Sequence, residues 1–258
     1  MITISNRSVL NRRNIILKRL NKDGRILIGE LASSLKVSNE TIRKDLIAME
    51  QQGFLRREHG SAVLASESDE EAIEFRNMDN LRVKNRIAKE ALKYIPQSDS
   101  TVIAIDAGST TWCLARLLAQ RSRQNIITSS IPVAELFNKD VNNVYMLGGL
   151  MRQKDKSVYG QWALNCINSV GISVAVLGSG GTKSMDGLCA VTFDDAKLKK
   201  AMIRNSELSI ALLDSTKFQK RSMVEAAKWE EIDYVITDSD IEEEVRERLS
   251  KRTNLIIV

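Results

Sequence analysis

At 258 residues the chain can hold one large α/β domain or a small domain and a medium one. Its 43% hydrophobic and 28% charged residues exclude a disordered or collagen-like polymer. The net charge is +5, yet residues 1–65 carry +6 and the remainder −1, so the basic excess sits in one small N-terminal part, as contact with a polyanion requires. Cys113, Cys166 and Cys189 have neither zinc-ligand nor disulfide spacing, no apolar run approaches the ~20 residues of a membrane span, and the N-terminus has no secretory apolar core. A cytoplasmic protein without metal, cofactor or membrane is expected.

The first 52 residues predict three short helices. Val9, Ile16, Leu17 and Leu20 share one face of the first, with Arg12, Arg13, Lys18 and Arg19 outside it, and Lys22-Asp23-Gly24 ends it. The second has Ile28, Leu31, Ala32 and Leu35 at i, i+3, i+4 and i+7. Lys36-Val37 makes a tight turn, Ser38 is an N-cap, and a third helix buries Ile42, Leu46 and Met49 before Gly53. Two extended runs around a glycine-containing turn, Phe54 to Leu64, predict a β-ribbon, or wing. Residues 1–65 are therefore expected to form a small winged helix-turn-helix domain.

A short acidic stretch from Ala65 to Asp69 begins a linker placed at 66–80. An amphipathic helix follows, with Val83, Ile87, Ala91, Leu92 and Ile95 inward and Pro96 as its stop. From Thr101 onward, β-branched runs at 102–105, 126–128, 144–147, 174–177, 210–213, 234–237 and 255–258 alternate with helical patterns. That alternation predicts an α/β domain over 81–258 around a largely parallel sheet. Turn chemistry collects after the strands: Asp106 to Thr110, Gly148-Gly149, Gly178 to Thr182, and Asp214 to Lys217. Ligands of open parallel sheets bind beyond the strands' carboxyl ends, so these four loops are expected to line one crevice.

The polar face of the third helix carries Asn39, Glu40, Arg43, Lys44 and Gln51. Arg43 or Lys44 can reach guanine or phosphate, Asn39 an adenine edge or phosphate, and the amides near Ser38–Glu40 a backbone phosphate. Arg56, Arg57 and His59 on the wing would meet adjacent phosphates or a minor groove. The run Ser38-Asn-Glu-Thr41-Ile-Arg-Lys-Asp-Leu46, followed by Gly53-Phe-Leu-Arg-Arg-Glu-His-Gly60, resembles the DeoR family of repressors. Two departures are visible: Gly29 stands where a polar residue is usual, and Ser61 replaces the second wing glycine.

The resemblance extends over nearly the whole chain. Asp106-Ala-Gly-Ser-Thr-Thr111, Gly148-Gly149, Gly180-Gly181 with Asp186-Gly187, and Asp214-Ser-Thr-Lys-Phe218 are similar to the DeoR effector domain, which is related to ribose-5-phosphate isomerase, sugar-phosphate deaminases and CoA transferases. It implies a phosphorylated-sugar effector held by Asp106, Gly108, Ser109, Thr110, Thr111, Gly149, Gly180, Gly181, Asp186, Asp195 and Lys217. The chemistry agrees: Gly108 lets backbone approach an anion, Ser109, Thr110 and Thr111 offer hydroxyls and amides at a helix start, and Lys217 supplies a positive charge. Asp106 reads as a hydroxyl or loop partner rather than an anion ligand. Asp194 and Asp195 read equally as first-turn acids. Trp112, Trp162 and Trp229 read as core or subunit-contact residues ahead of sugar-stacking platforms, and the sequence does not choose.

The competing reading is a sugar-phosphate isomerase or deaminase with an added DNA-binding domain, which needs a positioned base and acid. The loop from Gly178 to Leu188 contributes only Asp186, the one histidine lies in the wing, and Asp195 is one methylene shorter than the isomerases' glutamate. A retained pocket with fewer acid/base groups reads as sensing. The expectation is a homo-oligomeric repressor on a double-stranded DNA operator, dimer or tetramer, with no catalytic residue.

Overall fold

A computed structural model describes residues 9, 12–13, 15–16, 19–20, 23–51, 55–58, 60–64 and 73–258, which divide into compact units 1–75 and 76–258. His59, residues 66–72 of the expected linker and the apolar position Leu17 lie outside the described residues.

In the first unit, helix α1 is described at positions between 9 and 23, and Gly24 (φ +69°) ends it by donating its amide to the Leu20 carbonyl at 2.8 Å. A short strand β1 (Arg25–Leu27) precedes α2 (Ile28–Leu35), whose C-cap Lys36 is left-handed at φ 52°. Then come α3 (Asn39–Gln51), β2 (Leu55–Glu58) and β3 (Ser61–Leu64). The sequence pattern missed β1, which pairs antiparallel with β3 and makes the wing a three-stranded sheet. Three residues are too few to display a period. Gly29 is the second residue of α2, where the helix-interior cost does not apply in full.

Ile16, Leu20, Leu31, Ile42, Leu46 and Met49 are fully buried in one cluster, as their spacing predicts. A charged group lies among them. Asp45, on α3, is buried and accepts from Arg12 Nε at 2.5 Å and Arg13 Nε at 2.9 Å. Those two arginines, expected to be free of the buried face, instead fasten α1 to α3.

The second unit opens with α4 (Ile73–Met78, which spans the division) and α5 (Leu81–Ala91). It continues β4 (Val102–Ile105), α6 (Ser109–Leu118), β5 (Asn125–Thr128), α7 (Ile131–Ala134), β6 (Asn143–Met146), β7 (Leu150–Arg152), β8 (Ser157–Tyr159) and α8 (Gln161–Asn168). The remainder is β9 (Ile172–Leu177), β10 (Gly187–Ala190), α9 (Phe193–Arg204), β11 (Ser206–Leu212), β12 (Val224–Lys228), β13 (Tyr234–Thr237), α10 (Glu243–Ser250) and β14 (Asn254–Ile257). All seven expected strands are present and form one wholly parallel sheet, ordered β14-β13-β11-β9-β4-β5-β6.

Alternation along the strands feeds two cores. Ile103, Ile105, Val174, Val176, Ile210 and Leu212 pack on α5 and α6; Ala104, Ala175, Leu177, Ala211 and Leu213 pack on α8, α9 and α10. Trp229 is fully buried, Trp112 is partly buried beneath Arg116, and Trp162 is exposed. Two antiparallel pairs, β7–β8 and β10–β12, stand outside the sheet and were not expected. Their strands are too short, or lie too close to glycine, to alternate visibly.

Replacing Asp45 by Asn should leave two arginine heads without a counter-charge and destabilise the first unit by about 2–3 kcal/mol, below the full cost of a broken buried pair because the arginines are partly solvated. Urea denaturation should show an earlier loss of this unit's signal. An unchanged midpoint would mean that the apolar cluster alone holds α1 to α3.

Candidate functional site

The polar face expected to meet DNA is built on the N-terminus of α3. Ser38 caps the helix: its Oγ accepts the Thr41 amide at 3.1 Å and lies 2.9 Å from the Thr41 hydroxyl. Because Ile42, Leu46 and Met49 face the core, Asn39, Glu40, Arg43 and Lys44 are directed to solvent. Arg43 is 61% exposed, and Glu40 lies 4.0 Å from its guanidinium.

The wing arginines are less free than the sequence suggests. Glu50 accepts both the Arg57 amide at 2.8 Å and its Nε at 2.6 Å, and the amide first and the guanidinium second hold the Glu50 carboxyl below its ordinary pKa. Arg57 therefore splices β2 to α3. Arg56 lies 3.2 Å from Glu58, which also pairs with Arg25.

In the second unit the strand order places one feature at once. The chain runs from β4 to β5 and β6 on one side, then returns to β9, β11 and beyond on the other, so the topological switch lies between β4 and β9. The loops after these strands meet there. Asp106, just past β4, is buried; it accepts the Gly178 amide at 3.0 Å and pairs with the ammonium of Lys199, which also donates to the Gly178 carbonyl at 3.0 Å. Asp106 is thus a loop partner.

Gly108 precedes α6, and the first-turn residues Ser109 and Thr110 are nearly buried, with no side-chain hydrogen bond among the described residues. Thr111 differs. Its hydroxyl donates to the loop's own carbonyls, Asp106 O at 2.7 Å and Gly108 O at 2.9 Å, so it braces the turn from behind instead of facing a ligand.

Three glycines expected near the effector have a reason inside the fold. A Cβ on Gly149 would lie 2.3 Å from the Tyr159 carbonyl oxygen, one on Gly180 2.6 Å from Ser222 Oγ, and one on Gly181 2.4 Å from the Lys220 carbonyl oxygen. Asp186 is a correction. It pairs with Arg252, which leads into β14, and its neighbour Gly187 pairs with Lys228 ahead of β13, so it lies toward the strands' amino ends. The β10–β12 ribbon carries it away from the crevice.

Lys217 follows β11, beyond its carboxyl end. Burial pushes its ammonium down to about 8; Asp214 opposes the shift, while Arg76, Lys220 and Lys84 add to it. Lys84, unsuspected from sequence, is buried on α5 and donates to the Arg76 carbonyl at 2.6 Å and the Asp79 carbonyl at 2.8 Å; burial lowers its pKa as well. Asp195 is gripped by both terminal nitrogens of Arg152 at 2.8 and 2.9 Å, and Arg152 also binds buried Asp155. Sequence reasoning missed Lys84, Lys199 and Arg152. The first two were visible as lysines on apolar stripes, Lys84 with Ile87, Ala88 and Ala91, Lys199 with Ala196, Met202 and Ile203.

Residues 12–68 match the DeoR-like helix-turn-helix domain and residues 79–239 the DeoR C-terminal sensor domain. The chain is 29% identical to the glycerol-3-phosphate regulon repressor of Escherichia coli K12 over 88% of its length and 90% of that protein's. It is 33% identical to the HTH-type transcriptional regulator GolR of Listeria innocua over 89% and 91%. Ribose-5-phosphate isomerase A of Methanocaldococcus jannaschii superposes with a TM-score of 0.39 at 20% identity, covering 54% of this chain and 55% of that one.

Replacing Lys199 by Met leaves the Asp106 carboxylate buried without its cation, and about 3–5 kcal/mol of stability should be lost. The double replacement with Asp106→Asn should cost less than the single one. Equal losses on denaturant titration would show that the two side chains act independently.

Proposed function

This chain belongs to the DeoR family of helix-turn-helix transcriptional regulators, and on that premise we propose that it represses a carbohydrate-utilisation operon under control of a phosphorylated sugar or sugar alcohol. In this reading, residues 1–65 grip DNA, 66–80 link, and 81–258 sense the effector and form a cytoplasmic homo-oligomer, dimer or tetramer. Asn39, Glu40, Arg43 and Lys44 read the operator, and Ser38, Thr41, Arg56, Arg57 and His59 support or flank them.

The observation that carries the effector reading is Lys217. It is a largely buried ammonium among other cations, at the carboxyl end of β11. Such a group is electrostatically strained until an anion joins it. Ser109, Thr110 and the amides of α6 supply a second hold suited to phosphate. Arg152 with Asp155 and Asp195, a set with one carboxylate in excess, would face sugar hydroxyls and leave the phosphate to Lys217.

The isomerase or deaminase reading is weaker because its acid/base candidates are engaged, Asp186 by Arg252 and Asp195 by Arg152. We therefore assign no catalytic role. An effector acts on DNA affinity only through different affinities for two arrangements of the protein.

A relative named for the glycerol-3-phosphate regulon makes sn-glycerol 3-phosphate the first probe, within a wider thermal-shift panel of sugar phosphates and their unphosphorylated parents. For a phosphorylated hit, Lys217→Ala should lose ~1.5–3 kcal/mol of binding, roughly ten- to a hundredfold, with operator binding retained. Equal calorimetric affinities would place the phosphate elsewhere.

Affinity should also weaken as pH rises past about 8, where Lys217 loses its proton. Its folded-state pKa lies below the ordinary 10.5, so the ligand-free fold carries a burial penalty below about 8 that fades toward 10.5. Affinity that stays flat from pH 7 to 9.5 would contradict this assignment. On the DNA side, Arg43→Ala should cost ~1–3 kcal/mol of specific operator binding in a gel shift if it contacts a base. A uniform loss over all sequences would make Arg43 a phosphate contact.

A further inference from the structure

A parallel sheet has two open edges, and here they are not alike. At one edge, Leu255, Ile256 and Ile257 of β14 are partly buried against the two cores. At the other, β6 pairs only with β5 among the described residues. Asn143 and Leu147 send their amides to Gln124 O and Thr128 O, each at 2.9 Å, on the β5 side. By alternation the amides and carbonyls of Val144 and Met146 point outward from the sheet. This is a row of main-chain groups able to accept another strand.

The surface beside this edge is apolar. Tyr145 is 57% exposed, Leu150 66% and Trp162 74%, with Met146 and Met151 also exposed. They adjoin one another through the chain. Met146 runs through Leu147, Gly148 and Gly149 into β7, Leu150 pairs with Tyr159 of β8, and Gly160 caps α8, which carries Trp162 at its second position. The side-chain-free Gly149 lets β7 lie directly on the Tyr159 main chain. Tyr145 and Met146 flank the edge on opposite faces of the strand, and the five side chains together expose on the order of 500 Å² of apolar surface around it. With the strand edge added, this approaches the ~800 Å² per partner of a standard interface.

We propose that the β6 edge, with Tyr145, Met146, Leu150, Met151 and Trp162, is an isologous interface that receives the same edge of a second copy of this chain. Two properties select that partner. An open strand run antiparallel against its own copy satisfies both rows of main-chain groups through one two-fold axis, and none of the five side chains carries a charge that its symmetry mate would repel. The pairing joins two seven-stranded sheets into one of fourteen. The inference rests on the homo-oligomer proposed above and supplies its surface. It also places the interface on the hairpin that holds Arg152, so the oligomer contact and the Arg152–Asp155–Asp195 cluster share one element.

The test uses the full chain at micromolar concentration, without DNA or effector, by sedimentation velocity. Wild type should run as a dimer or larger. Leu150→Glu with Trp162→Glu should halve the mass. Met146→Pro, which removes one outward amide and no bond to β5, should do the same. Met223→Glu, at an exposed apolar residue elsewhere, should leave it unchanged. Circular dichroism checks that each variant folds. Hydrogen exchange on wild type needs no variant, and there the amides of Val144 and Met146 should be protected in the oligomer. A monomeric wild type would overturn both the surface and the homo-oligomer. An oligomer whose mass survives both folded variants, or in which these two amides exchange freely, would overturn the surface alone.

Discussion

The sensing unit is organised around a buried ion pair at the point where its sheet reverses direction. Asp106 ends β4, Lys199 comes from the middle of α9, and Gly178 follows β9; one carboxylate and one ammonium tie all three. Removing two charges from water costs several kcal/mol per ion, and the pair survives because main-chain groups satisfy what the ions do not give each other. Its consequence is geometric. The loops that flank the switch point are held at a fixed separation, and Thr111 stiffens the first from behind. The start of α6 is thereby set before any ligand arrives, which spares a ligand the entropy of ordering it.

Around this bracket the charges are unevenly matched. Arg152 has two carboxylates and an aromatic ring, Tyr159, against its guanidinium. Lys217 and Lys84 both lie in the field of Asp214, whose carboxylate also takes the Thr216 hydroxyl. Lys84 adds a mechanical link. Its ammonium is bonded to the carbonyls of Arg76 and Asp79, and so ties the segment ahead of α5 to that helix.

The reading unit uses a related device at smaller scale. Asp45 projects from the inner side of the helix whose outer side carries Arg43 and Lys44, and it takes two arginines from α1. Part of the basic excess that marks this region is thus consumed in holding it together. Arg57 is spent in the same way on Glu50. Among the described residues, Lys36, Arg43 and Lys44, at and near the start of α3, stay exposed for a polyanion.

The sequence by itself determined whatever depends on a local period or a local turn. The seven strands followed from runs of β-branched residues, the buried faces of α2, α3 and α5 from their helical spacing, and the Ser38 cap from a hydroxyl at a helix start; each is decided within about ten residues of chain. The family motifs added the two-part architecture. Only the tertiary structure decided which side chains spend themselves on one another. Asp106 with Lys199, Asp195 with Arg152, and Asp45 with Arg12 and Arg13 are joined across 93, 43 and 33 or 32 positions, and no periodicity reaches that far. Asp186 shows the same limit: its place after a glycine-rich loop suggested the crevice, but the direction of the β10–β12 ribbon, set by pairing between distant segments, put it near the opposite end of the sheet. A strand's existence is local, whereas the position of a loop beyond it depends on what the rest of the chain packs against it.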